Sequence, residues 1–269
     1  MKLELRLEDI MPLPTTDEEI YSLKRIDSVA LEVKARNWGK VHELLVDAEN
    51  DPKINQEYKD FFLSKSRIQL LALSNDKYRD YEKAEHLILE YLDKYRPGFD
   101  LERVADYFLT NGEATQLSHL ATIYSNGDEP QKGIAILEQL VAFVERWYIL
   151  SVSTVMQFNY MAYLGKLGVS YLLAGALEKA LEVNTKAIEV ARKNMNVDMI
   201  QSYQSDRAVI LLDMGRLDEA KHCLKKYLMI QYGTEHMRSW DNYEDGITFP
   251  EFVQRDYGID CLELVEPIE

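Results

Sequence analysis

Cysteine, glycine and proline are scarce in this 269-residue chain, at two, 12 and seven residues. Cys223 and Cys261 are too few for a disulfide framework and too far apart for a CxxC site, which is the usage of a reducing compartment, so a cytoplasmic location is expected. With so few turn formers, and with Leu, Ala, Glu and Lys abundant, the recurrent turns and alternating β-branched runs of a β fold are missing. No stretch approaches the roughly 18 apolar residues needed to span a bilayer. The opening MKLELRLEDIMPLP lacks the apolar core and small-residue cleavage site of a signal peptide.

Catalytic and metal-binding signatures are absent as well. There is no GxSxG, no phosphate-binding glycine loop and no GxGxxG. His42, His86, His119, His222 and His236 show no HExxH or HxxxH spacing. His222 and Cys223 are adjacent, so on a helix they point about 100° apart and share a metal poorly. DNYEDGITFPEF (241–252) fits a calcium loop only in part, because Tyr243 occupies a ligand position and Glu251 falls one residue short of the bidentate one. No enzyme activity, metal or cofactor is expected.

What is present is charge and helical periodicity. The chain is 46% hydrophobic and 29% charged, with a formal net charge of −15. Residues 234–269 carry ten acidic side chains against Arg238 and Arg255 and account for −8 of that total. An acidic chain repels phosphate backbones, so direct nucleic-acid binding is not expected. The charge serves solubility or attracts a basic partner.

The strongest pattern is internal repetition. LGVSYLLAGALEKALEVNTKAIEVARK (164–190) places Leu164, Leu167, Gly168, Tyr171, Gly175, Ala180 and Ala187 as a bulky residue, Leu-Gly, an aromatic, a turn glycine and two small residues of a second helix. QSYQSDRAVILLDMGRLDEAKHCLKKYL repeats this with Ala208, Leu211, Gly215 and Ala220. Fainter copies upstream put Val41, Ala84 and Gly133 at the position of Ala180, giving spacings of 43, 49, 47 and 40 residues. Breaks at Asn50-Asp51-Pro52, Arg96-Pro97-Gly98, Asn126-Gly127-Asp128 and Tyr232-Gly233-Thr234 separate the units. The expected fold is all-α: a right-handed α-solenoid of about five helix pairs at 21–233, after an N-terminal leader at 1–20. Residues 234–269 are expected to form an acidic, aromatic C-terminal cap or tail. RWYILSVSTVMQFNYMAYL (146–164) reads as one long, nearly uncharged helix.

In stacked helical hairpins the first helix of each pair, helix A, lines the concave side. The polar residues expected there are Thr115, His119 and Thr122 in the third pair, Asn159, Tyr163 and Lys166 in the fourth, and Ser202, Ser205 and Asp206 in the fifth. Amide and imidazole groups both donate and accept, which suits an extended peptide backbone. Aromatics cluster nearby, at Trp147, Tyr148, Phe158, Tyr160, Tyr163, Tyr171 and Tyr203, and are expected to be mostly core with a minority facing a ligand.

These repeats resemble the tetratricopeptide (TPR) superfamily. The long period is similar to that of the peptide-sensing regulators of Gram-positive bacteria, the RRNPP group. The resemblance implies an intracellular receptor, used in quorum sensing and transcription regulation, whose concave face binds a short peptide. It implies that a helix-A asparagine holds the peptide backbone, a role carried over to Asn159. The transcriptional members have an N-terminal helix-turn-helix, and the roughly 20 residues before the first hairpin cannot form one, so this chain is the sensor part or acts without binding DNA. The expected partner is a short peptide or protein segment, with a homodimer among the expected assemblies and no membrane contact. The alternative is a TPR protein–protein interaction scaffold or adaptor.

Overall fold

In the computed structural model the described residues are 16–74, 78–148, 154–233 and 247–264. The chain divides into two compact units, Met1–Met156 and Gln157–Glu269. Regular structure among the described residues is helical.

In the first unit, α1 (Asp17–Lys34) pairs with α2 (Trp38–Asn50). Ile26 and Val29 of α1 pack against Val41, Leu45 and Ala48 of α2. A capping box starts α1: Thr16 Oγ1 accepts the Glu19 N–H at 3.1 Å, and Glu19 Oε2 accepts the Thr16 N–H at 3.0 Å. With Asp17, Glu18 and Glu19 placed favourably on the helix dipole, the helix begins inside the segment expected as leader. Most of that segment, residues 1–15, lies outside the described residues.

A continuous helical rod follows, built of α3 (Gln56–Tyr58), a π-helical turn (Lys59–Leu63) and α4 (Ser64–Leu73). It pairs with α5 (Tyr81–Tyr95), whose Ala84 is fully buried. The helix stops before Pro97, which disfavours helical geometry at Arg96. Arg96 then joins this end to the next pair, donating from Nε to Glu113 Oε1 at 2.9 Å and from Nη2 to the Phe108 carbonyl at 3.0 Å. Glu113 also closes the capping box of Thr110 that opens α6 (Asn111–Asn126).

Between α5 and α6 a 3-10 turn (Leu101–Asp106) lies against α7 (Pro130–Trp147). Gln139 Nε2 donates to the Leu101 carbonyl at 3.1 Å, Trp147 Nε1 to the Ala105 carbonyl at 3.2 Å, and Arg146 Nη1 to Asp106 at 2.8 Å. This insertion accounts for the long interval between Ala84 and Gly133. Gly133 is where α6 and α7 meet: a Cβ there would sit 2.6 Å from the Ala121 carbonyl oxygen and against Ser125 Oγ.

The helix expected over 146–164 is two helices. Tyr148 leaves α7 with extended backbone (φ −114°, ψ 146°), and α8 (Thr154–Leu173) starts six residues later. The intervening YILSVS is aromatic and β-branched, with poor helix propensity that its apolar character conceals.

In the second unit α8 pairs with α9 (Leu177–Lys193), and α10 (Val197–Asp213) with α11 (Leu217–Gly233). The 17-residue helices and three-residue turns produce the 40-residue spacing directly. Gly168 faces α9 at close range, where a Cβ would make ordinary contact with the Ala180 carbonyl oxygen at 3.8 Å. The turns share one form. Gly175 (φ 71°) and Gly215 (φ 70°) are left-handed, and the Ala176 and Arg216 amides reach back to the Tyr171 and Leu211 carbonyls at 2.9 and 2.8 Å. Met195 makes the same turn between α9 and α10 at φ 51°, without glycine's freedom and 85% exposed.

Tyr203 ties α10 to α8. Its Oη donates to the Met161 carbonyl at 2.6 Å, its own carbonyl accepts from Asn184 Nδ2 at 3.0 Å, and its ring occupies the space beside Gly165. Within the segment expected as cap, α12 (Phe249–Tyr257) and the following turn place Phe249, Val253, Ile259 and Cys261 on Leu224, Tyr227 and Leu228 of α11. Tyr257 Oη donates to Asp213 at 2.7 Å. Residues 234–246 and 265–269, including the first half of the calcium-loop stretch, lie outside the described residues.

Two substitutions test this packing. Gly133→Ala should lower stability by about 1–3 kcal/mol, since the colliding Ala121 oxygen is backbone and cannot swing aside. Met195→Gly should raise it by about 0.5–1 kcal/mol, because a left-handed residue loses its Cβ strain and an exposed side chain surrenders no packing. Urea unfolding monitored by circular dichroism measures both.

Candidate functional site

The nine polar residues expected on the helix-A faces fall into two groups, one per unit. Thr115, His119 and Thr122 lie on α6 of the first unit. Thr115 and Thr122 turn their hydroxyls back onto the Asn111 and Ser118 carbonyls, at 2.7 and 2.9 Å. His119 is buried, contrary to the expectation of a groove residue. The reason is that α4, α5 and α7 all pack on α6, so most side chains from Glu113 to Ser125 are interior. Thr115 and Thr122 stay half-buried, with their hydroxyls turned onto their own helix.

The other six lie in the second unit. Asn159, Tyr163 and Lys166 follow at i, i+4 and i+7 along α8, and Ser202, Ser205 and Asp206 at i, i+3 and i+4 along α10. Tyr203 sits against Met161 and Gly165, which sets the two stripes at the same height. Tyr163 is the exception: it is buried in the core. Asn159, Lys166, Ser205 and Asp206 are half-buried and Ser202 is exposed, with Ser205 Oγ donating to the Ser202 carbonyl at 2.6 Å.

Lys166 and Asp206 distinguish this face electrostatically. Burial pushes the Lys166 ammonium down to about 8 and the Asp206 carboxyl up to about 7. Each is moved toward its neutral form because low-dielectric surroundings disfavour the charge. Ionisable groups displaced in this way occur more often at functional sites than elsewhere.

The seven clustered aromatics divide between core and surface. Tyr148, Tyr160, Tyr163, Tyr171 and Tyr203 are core, Trp147 is half-buried, and Phe158 alone of the seven stands out, at 51% exposure. Several polar residues went unnoticed in the sequence. Lys65 on α4 is half-buried and held below the usual lysine range by burial. Gln116 on α6 and Gln201 and Gln204 on α10 are buried, and their amide oxygens have no hydrogen-bond partner. Their signal was present in the sequence, as glutamines at positions the helical period assigns to the core. Among the described residues no group of three or more His, Cys, Asp or Glu could hold a metal, and no helix is long and apolar enough to cross a membrane.

No protein-family model and no curated protein matches this sequence. Solved structures do match the fold. Bacillus thuringiensis PlcR, crystallised with the peptide PapR7 and DNA, aligns with a TM-score of 0.61 at 15% identity, over 81% of this chain and 72% of that one. Two crystal structures of nearly identical TPR-like repeats from a kinesin-light-chain candidate of Podosopora anserina align at 0.54 and 0.52. Their identities are 15% and 16%, and they cover 82% and 80% of this chain and 99% and 97% of theirs. The fold is that of TPR-like repeats.

Asp206 makes a pH prediction. Its folded-state value lies above that of a free carboxyl, so the native state binds the extra proton. The stability this gives is fully present below about pH 4 and is lost as pH rises through about 7. Asp206→Asn should therefore raise the melting temperature at pH 8 and flatten its dependence between pH 4 and 7. Unchanged melting curves across that window would show that the carboxyl is not desolvated.

Proposed function

We propose that this chain is the peptide-sensing region of a bacterial transcriptional regulator, with a short peptide held on the helix-A face of α8 and α10. The observation that carries the proposal is the pair of burial-shifted groups on that face, Asp206 and Lys166, on a fold shared with a regulator crystallised with its peptide. A bound peptide supplies what Asp206 lacks: a cationic side chain or terminal amine that stabilises the carboxylate. Lys166 offers the complementary charge to an acidic group. Asn159, on the same stripe, pairs its amide with the peptide backbone. The likeness to RRNPP sensors supports this reading, in which binding closes the repeats and alters how the chain assembles with itself or with a partner.

Calorimetry against a library of short hydrophobic peptides carrying one basic group, with small-angle scattering on the same samples, tests it. The expected results are saturable binding with a decrease in radius of gyration and a loss of about tenfold or more for Asn159→Ala and for Asp206→Asn. Neither variant should lower the melting temperature appreciably. If no short peptide binds while a folded protein binds tightly, the chain is a scaffold and the sensor reading fails.

A further inference from the structure

On the side of α10 opposite Ser202 and Asp206, the residues Gln204, Arg207 and Leu211 follow at i, i+3 and i+7. They floor a cleft of about 470 Å³ walled by α9 and α11. Arg207 is half-buried there: it donates from Nη1 to Thr185 Oγ1 at 2.7 Å, the Cys223 thiol is a hydrogen-bonding neighbour, and its charge reaches the Glu219 carboxylate. Glu219, an acid on the same wall, is already engaged by Arg216 through two bonds of 2.7 Å. Arg192 and Lys226 add two further cations to the cleft wall. Beside Arg207, Gln204 is only 2% exposed, yet its Oε1 accepts no hydrogen bond.

A half-buried guanidinium fixed by a hydroxyl keeps the rest of its fork available to a carboxylate, which it meets with two parallel hydrogen bonds. A buried amide with no partner calls for a polar group to complete it. Glu189 and Asp218 also line the cleft and would repel a doubly charged phosphate group, so the lining favours a single carboxylate attached to a hydrogen-bond donor. Ile188 and Leu211 leave an apolar wall for a side chain. We propose that this cleft binds an α-carboxylate with its neighbouring N–H, with Arg207 taking the carboxylate and the Gln204 amide accepting the N–H. That chemistry belongs both to the C-terminal residue of a peptide and to a free amino acid. The site uses none of the residues of the helix-A face and stands independently of the function proposed there.

Calorimetric titration of the full chain with N-acetyl-alanyl-leucine, its C-terminal amide and free leucine tests the assignment. The dipeptide acid should bind saturably and its amide at least about tenfold more weakly, the usual consequence of losing a charge-assisted pair. Arg207→Gln should erase the difference between acid and amide. Because Arg207 also anchors Thr185, the exposed Arg192→Ala serves as a second variant, folded as the parent and several-fold weaker toward the acid. Leucine binding as tightly as the dipeptide identifies a free amino acid as the ligand, and tighter dipeptide binding identifies a peptide terminus. Equal binding of acid and amide, or no binding of any of the three probes, overturns the proposal.

Discussion

Two antiparallel helices can approach closely only where one of them offers little beyond its backbone. Ala84, Gly133, Ala180 and Ala220 meet that condition once in each of four successive hairpins, and all four are buried. Gly133 is the strictest case, since a methyl group there would strike a backbone oxygen. No hairpin of this kind can bury its apolar face alone, so neighbouring pairs in each unit supply the rest of the core. Tyr203 does this between α8 and α10, and Arg96 with Glu113 between α5 and α6. In the last described pair α12 takes this role, covering Leu224, Tyr227 and Leu228.

This arrangement decides which polar residues remain available. α6 is packed by three helices and buries Glu113, Gln116, Ser118, His119 and Ser125, leaving Thr115 and Thr122 half-buried. α8 and α10 keep one stripe each, and there Lys166 and Asp206 retain partial access to solvent in surroundings that disfavour their charges. Placing ionisable groups in such surroundings lowers stability, and sites of binding are where proteins tolerate that. The outer cleft shows the same economy differently, with an arginine anchored by a hydroxyl and an amide left incomplete.

The sequence was most legible where backbone demands are strict. Gly175 and Gly215 mark left-handed turns, Pro97 ends a helix, and the alanines of α9 and α11 mark the crossings, so residues 161–230 could be read almost helix by helix. It was least legible where composition serves two structures. The apolar run through Tyr148 suits a buried helix and an extended linker equally, and the break between α7 and α8 was hidden by it. The 3-10 turn at Leu101–Asp106 is held by long-range bonds to Gln139, Arg146 and Trp147, which no local pattern announces. Site residues followed the same rule. The periodicity put Asn159 and Lys166 on one stripe correctly, but it could not tell that His119 and Tyr163 would be covered by neighbouring helices.

The central claim is that the stripe on α8 and α10 receives a peptide. Hydrogen–deuterium exchange of the chain with and without a bound short peptide addresses it most directly. The account predicts slowed exchange concentrated in α8 and α10, on the turns around Asn159, Lys166 and Asp206. Protection confined to α9 and α11, or exchange unchanged in α8 and α10 at saturating peptide, would contradict it.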